Sequence, residues 1–188
     1  MLLLDPLLVS IISVSFGLLL LLAAVHKLGE IARFKAVLED YRVLPAAAVP
    51  AAALILPVAE AVVGIAWLFA STTKLPAVAT AALLSLYTLG IVVNLLRGRY
   101  HISCGCGVGK LVGAGDSLSW SLVLRNAILI GAAGIAMFPV AARETGFLDY
   151  MTMVAALATI VLLYAAANQL LRNRAAIGLW RDRVPGDD

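Results

Sequence analysis

The chain has 188 residues, 63% of them apolar and 13% charged, with a formal net charge of +3 and a mean hydropathy of +1.02. That balance excludes an ordinary soluble domain, in which about 25% of residues are charged, and predicts an all-α, polytopic membrane helical bundle. The basic excess does not indicate nucleic acid. Lys and Arg flank apolar runs, where they anchor helix ends and set orientation, so the expected partner of most of the surface is a lipid bilayer.

Five membrane spans are expected, with an interfacial helix after the first. Leu7 to Val25 matches the roughly 20 residues that cross a bilayer core. Asp5 and no Lys or Arg precede it, unlike a cleavable signal peptide, so the segment is expected to be retained. His26 to Leu44 interleaves charges with Leu28, Ile31, Phe34, Leu38 and Tyr41 at spacings of three and four, the pattern of an amphipathic helix at the membrane surface. Pro45 and Pro50 end it.

The second span, about 50–70, carries Pro57 as an expected bend and Glu60 near its middle. Ser71 to Lys74 turns the chain into the third span, about 75–96, so that these two form an antiparallel hairpin. The fourth, about 118–140, is expected to be capped by Asp116 or Ser117, and its Gly131, Ala132, Ala133 and Gly134 suit a close helix contact. The fifth covers about 150–171. Residues 1–171 thus form a single transmembrane domain, followed by a polar tail, 172–188.

The loop 97–117 interrupts this apolar pattern and holds both cysteines, in the run His101-Ile102-Ser103-Cys104-Gly105-Cys106-Gly107. Thiols two residues apart lie near the upper limit of disulfide geometry, and Gly105 lets the backbone bend. A Cys104–Cys106 ring is strained, hence a labile, exchanging disulfide. Arg97, Arg99, His101 and Lys110 surround the pair with positive charge that favours the nucleophilic thiolate. Two other readings stand beside this one. The cysteines are buried small hydrophobes, or Cys104, Cys106 and His101 are soft-metal ligands, short of the four a closed zinc site needs. The glycines make neither a dinucleotide fingerprint, since no strand precedes them, nor a Walker loop, since Leu111 follows Lys110.

Five spans put the loops after the first and third and the C-terminal tail on one side. Eleven Lys and Arg lie there, against Lys74 and Arg143 on the other. The positive-inside rule then places the N-terminus outside and the C-terminus and cysteine loop in the cytoplasm. Glu60 falls about 15 Å from the cysteine-loop face at 1.5 Å per residue. Arg125 comes out at similar depth, so the two are expected to pair, either as a packing bridge or as a proton relay or anion stabiliser for thiol chemistry. His26 reads as interfacial, and Tyr87, Tyr164, Trp67 and Trp120 as packing or interface residues.

Several segments together resemble the MauE family of methylamine utilisation proteins, itself similar to DoxX-type membrane proteins. They are His26-Lys27-Leu28, Tyr41-Arg42-Val43-Leu44-Pro45, Leu56-Pro57-Val58-Ala59-Glu60 and Cys104-Gly105-Cys106-Gly107, in that order over nearly the whole chain. The resemblance implies a bacterial inner-membrane protein that helps mature the disulfide-rich small subunit of methylamine dehydrogenase beside MauD, a thioredoxin-like partner. On that reading Cys104 and Cys106 are the redox pair, His101 and Lys110 tune them, Glu60 and Arg125 support them, and a quinone is a candidate electron acceptor. With two cysteines only, any relay passes through a partner's thiols. The charge bias puts this pair inside while the client folds outside, which a glycine-rich loop re-entering the bundle would reconcile. The rivals are a soft-metal binder or transporter and a non-redox membrane assembly factor.

Overall fold

The computed structural model describes residues 3–70, 73–99, 102, 118–143 and 146–181, with side chains for all of these except 164, 165 and 167–181. Within them the chain forms helices α1 (Pro6–Gly29), α2 (Ile31–Tyr41), α3 (Val49–Phe69), α4 (Lys74–Leu96), α5 (Trp120–Ile135) and α6 (Phe147–Arg181), with a 3₁₀ turn at Ala46–Ala48. Three of them, α1, Ala46–Phe69 and α4, are long and apolar enough to cross a membrane. Trp120–Ile135 and Phe147–Leu163 are shorter apolar helices. Val25, Ile55, Val62, Leu124, Ile128 and Leu162 are all more than half exposed, an apolar surface that water would not tolerate and lipid does.

Local chemistry sets the helix ends. The Asp5 carboxylate accepts from the Leu7 N–H at 2.8 Å and Pro6 takes the first helical position, where its missing N–H costs nothing. Glu30 leaves helical geometry at φ −121° and ψ 43°, so a single residue separates α1 from the amphipathic α2. That helix ends on Arg42 in the left-handed region, φ 46°, which a side chain adopts only at some cost. Two arginines from the end of α4 hold this turn, Arg97 donating to the Arg42 carbonyl (3.2 Å) and Arg99 to that of Asp40 (3.3 Å). Pro57 lies inside α3 without ending it.

The fourth expected span is shorter than the sequence implied. Leu118 donates its N–H to the Ile102 carbonyl instead of entering a helix, and α5 starts after Ser119 rather than at a cap on Asp116 or Ser117. It stops at Ile135 because the turn through Ala136 leads into Pro139, and the residue before a proline disfavours helix. In the other direction, α6 runs to Arg181, well into the tail.

Packing pairs the helices as α1 on α3 and α4 on α5, with α3 and α4 making a lighter contact between the pairs. The expected hairpin of the second and third spans is therefore the seam of the bundle rather than its tightest unit. A core of Phe16, Leu20, Trp67, Ala77, Leu84, Ala133 and Ala136 crosses that seam. The Phe16 and Trp67 rings stack at 5.2 Å, and Trp67 donates its indole N–H to Thr80 at 2.8 Å. Trp67 is thus the packing residue the sequence indicated.

The glycines that allow close approach are Gly17 and Gly64. A Cβ on Gly64 would sit 3.2 Å from the Gly17 carbonyl oxygen and the Leu21 nitrogen, both backbone atoms. On α5, Ala133 is fully buried, whereas a Cβ on Gly131 or Gly134 would meet open space.

The face opposite the cysteine loop closes by a short tie. Leu4 and Val140 form a parallel bridge, with Leu4 N–H to Pro139 O at 2.9 Å and Ala141 N–H to Leu4 O at 2.8 Å. Arg143 spans Asp5 (3.3 Å) and Asp149 (2.8 Å), linking the starts of α1 and α6. Arg143 and Asp5 are about half exposed, so solvent screens these pairs and they tie the ends together more than they stabilise the fold.

Candidate functional site

Three helices carry polar residues on their largely apolar buried stripes. On α1 the stripe runs Phe16, Leu20, Ala24, Lys27, and on α3 it runs Val49, Ala53, Pro57, Glu60, Gly64, Trp67. On α4, Thr80, Leu84 and Ile91 are buried and half-buried Tyr87 falls between them. Spacings of three and four keep each series on one helix face, so the fold that buries the leucines and alanines also buries Lys27 and Glu60.

The contacts Phe16–Trp67, Gly17–Gly64 and Lys27–Glu60 show that α1 and α3 run antiparallel. Side chains lean toward the N-terminus of their own helix. Lys27, near the end of α1, therefore leans inward, and Glu60, in mid α3, leans back toward it.

The result is a buried ion pair, with Lys27 4% and Glu60 1% exposed. Tyr87 donates its hydroxyl proton to the same Glu60 oxygen, Oε1, at 2.6 Å, and Lys27 Nζ also donates to the Tyr87 hydroxyl at 3.3 Å. Aromatic faces complete the ammonium's surroundings, Tyr87 with its ring centroid 4.5 Å away and Phe34 of α2 at 5.2 Å. Glu60 Oε2 is buried and has no hydrogen-bond partner among the described groups. A carboxylate with one oxygen doubly engaged and the other bare, linked to an ammonium and a phenol, can hold or pass a proton. Tyr87→Phe keeps the ring and removes one donor, and is expected to lower stability by about 1 kcal/mol, read as a small drop in melting temperature in lipid nanodiscs.

This is not the pair expected from sequence. Glu60 has Lys27 as its cation rather than Arg125, because equal depth does not make helices neighbours: α3 packs on α1, while α5, which carries half-buried Arg125, packs on α4. Tyr87, expected as a packing residue, is part of the polar cluster. In sequence Lys27 reads as one of the basic residues flanking the first span, yet it continues the α1 stripe one turn beyond Ala24. That register was the available signal.

His101, Cys104, Cys106 and Lys110 lie outside the described residues. Ile102 and Tyr41 pack against the cluster of Ile91, Leu95, Leu118 and Leu122, and the bond from Leu118 to Ile102 (3.1 Å) draws the two ends of the cysteine segment together. Nearby, Asn94 donates to the Gly90 carbonyl at 3.0 Å and Asn126 to Thr88 at 3.0 Å, which ties α5 to α4 through side chains that would be costly to bury unbonded.

An apolar groove of about 400 Å³ lies between α2, α3 and α4, and Lys27 and Tyr87 form its polar end. Phe34 and Tyr41 of α2 line it from above, and small residues, Ala51, Ala52 and Gly90, leave it open below. Among the described residues no group of three His, Cys, Asp or Glu is placed to hold a metal ion.

The comparisons with known proteins agree with one another. Residues 5–139 match the family model described as Methylamine utilisation protein MauE. The chain is 36% identical over 169 residues to Methylamine utilization protein MauE of Paracoccus denitrificans, covering 89% of each. It is 37% identical over 149 residues to the protein of that name from Paracoccus versutus, covering 79% of this chain and 78% of the relative. For the one from Methylorubrum extorquens the identity is 33% over 168 residues, with 88% and 89% covered. No solved structure matches the chain. The matched span contains α1 to α5, the Lys27–Glu60–Tyr87 cluster and the cysteine segment, and on this agreement of sequence and extent the chain belongs to the MauE family.

Proposed function

We propose that this protein is a membrane thiol-disulfide component of methylamine utilisation, acting with a thioredoxin-like partner in maturing the small subunit of methylamine dehydrogenase. The observation that supports it best is the position of its two cysteines. Both lie within four residues of Ile102, in a segment whose ends are pinned together on the bundle by Leu118. Family membership supplies the methylamine setting, and the chemistry of the Cys-Gly-Cys pair supplies the reaction.

In that reaction a partner thiolate attacks the Cys104–Cys106 disulfide to give a mixed disulfide. The partner's second thiol then resolves it, leaving the partner oxidised and Cys104 and Cys106 reduced. His101 and Lys110 favour the thiolate form of this pair. The protein sits in the bacterial cell membrane with its N-terminus outside.

Cys104→Ser and Cys106→Ser are each expected to abolish accumulation of mature small subunit while the variant itself stays in the membrane at normal amount, checked by immunoblot of both proteins. Full maturation in both single variants would overturn the thiol reading in favour of a non-redox assembly role. Labelling of intact cells by a membrane-impermeant thiol reagent, with and without prior reduction, reports which side reaches the pair.

A further inference from the structure

The turn that ends α2 gathers positive charge that nothing beside it neutralises. Arg42 stands on this turn, and Arg97 and Arg99 reach it from the end of α4, donating to the backbone carbonyls of Arg42 and Asp40. A carbonyl is neutral, so these bonds place the two guanidiniums without offsetting their charge. On α2 itself Glu30 pairs with Arg33 and Glu39 with Lys35. Among the described residues no carboxylate pairs with Arg42, Arg97 or Arg99, and with Asp40 set against them the corner stays positive. Arg42 and Arg97 are exposed and Arg99 is half-buried. The α4 arginines each use one nitrogen of the fork on the turn, and the remaining N–H groups lie in a plane that suits a phosphate.

The same turn stands at the mouth of the apolar groove. Val43 and Leu44, next to Arg42, line the groove and are 45% and 40% exposed. From there it follows α3 from Ala48 to Ile55 and α4 from Ile91 back to Leu86. The rise from Ala48 to Ile55 is about 10 Å at 1.5 Å per residue, on two helices long and apolar enough to cross a membrane. The groove therefore runs in the direction of the lipid chains and stays within one leaflet of a hydrocarbon core about 30 Å thick. Its walls are almost wholly apolar, and Ile55 and Leu86 leave its side open at the bundle surface. A hydrocarbon chain needs no polar partner there.

We propose that this corner seats one anionic phospholipid, its phosphate held by Arg42, Arg97 and Arg99 and one acyl chain lying in the groove past Leu44 and Ile55. A zwitterionic lipid offers the same chains but brings an ammonium group that the arginines repel. A free phosphate has the charge and forgoes the groove. The site thus selects for head-group charge and chain together, with basic residues at the membrane surface attracting the anionic lipid. A phosphate between the three guanidiniums also relieves their mutual repulsion and clamps α4 to the end of α2. The site stands apart from the thiol reading and does not depend on it.

The test uses the full-length protein in a neutral detergent, titrated with palmitoyl-oleoyl phosphatidylglycerol or the matching phosphatidylcholine, with bound lipid counted by native mass spectrometry. One phosphatidylglycerol per chain is expected to bind saturably and about tenfold or more tighter than phosphatidylcholine. Excess inorganic phosphate should not displace it. Arg42→Gly is the most informative variant, because glycine suits the φ of 46° at this position and so preserves the turn. It should melt no lower than the parent in phosphatidylcholine nanodiscs, yet bind phosphatidylglycerol about fivefold more weakly, the effect of one basic residue near an anionic lipid. Arg97→Gln should weaken binding by a similar factor. Ala52→Phe, which fills the groove, should weaken it with all three arginines in place. Equal affinity for the two lipids, displacement by inorganic phosphate, or unchanged binding in a folded Arg42→Gly or Ala52→Phe variant would overturn the proposal.

Discussion

Lys27→Met is expected to leave little folded protein in the membrane, and Lys27→Met combined with Glu60→Leu to restore much of it. The single variant removes the ammonium but leaves Glu60, which is 1% exposed, with only the Tyr87 hydroxyl on Oε1. Breaking a buried pair from one side costs about 3–5 kcal/mol, most of it the penalty of the stranded charge. The double variant strands nothing. Well-packed apolar replacements of buried pairs are often neutral or stabilising, and Met and Leu fit stripes that already carry Ala24 and Pro57. Expression level and melting temperature in nanodiscs check both. If the single variant were as stable as the double, the ion pair would not hold α1 against α3. If the double variant folds but fails to support client maturation, the cluster acts in function rather than in packing.

The second large effect is expected at the α1–α3 crossing. Gly64→Leu should separate the two helices, because even a Cβ at Gly64 stands 3.2 Å from two backbone atoms of α1, the Gly17 oxygen and the Leu21 nitrogen. Backbone cannot swing aside, and three further carbons would have to fit in the same gap. Overpacking of this kind costs about 1–3 kcal/mol or more, here in the most extensive helix pair of the bundle. Gly17→Ala is the contrast. Its Cβ would come within 2.6 Å of a side-chain carbon of Leu68, which is 37% exposed and can move away, and 3.3 Å from the Gly64 carbonyl oxygen, so a single methyl there is tight but far smaller than a leucine. Gly64→Leu should therefore abolish a cooperative melt, while Gly17→Ala shifts it by a few degrees. Equal effects of the two would mean that the crossing is not limited by backbone contact. Loss of the crossing also withdraws Lys27 from Glu60, so both predictions probe one seam from opposite ends.

Much of this architecture was legible in the residues themselves. Hydropathy alone located α1, α3 and α4 to within a few residues, because a run of apolar side chains long enough to cross lipid has few other uses. The alternation of charge and apolar residues after His26 indicated α2, and Phe34 is its buried residue. The cysteine segment stood out by composition, as did the Cys-Gly-Cys motif that carried the family resemblance. Glu60 was singled out because an acid inside an apolar span is expensive wherever it sits.

What the sequence could not supply was adjacency. Depth along a helix follows from counting residues, but which helix lies beside which depends on how all the faces pack at once. Counting put Glu60 level with Arg125; packing put α1 beside α3 and α5 beside α4, and so gave Glu60 to Lys27 and Tyr87. The same holds for the small residues. Gly131 and Gly134 looked suited to a close contact, yet the backbone approach is made at Gly17 and Gly64, since a glycine matters only where a second helix arrives. The groove beneath α2 belongs to the structure entirely: three helices and the left-handed turn at Arg42 must come together before an apolar space with a lysine at its end exists. Composition and period therefore determined that this is a membrane-type helical bundle with both cysteines in one polar loop. Only the tertiary arrangement, in which side chains far apart in sequence share one low-dielectric interior, decided which polar groups meet there.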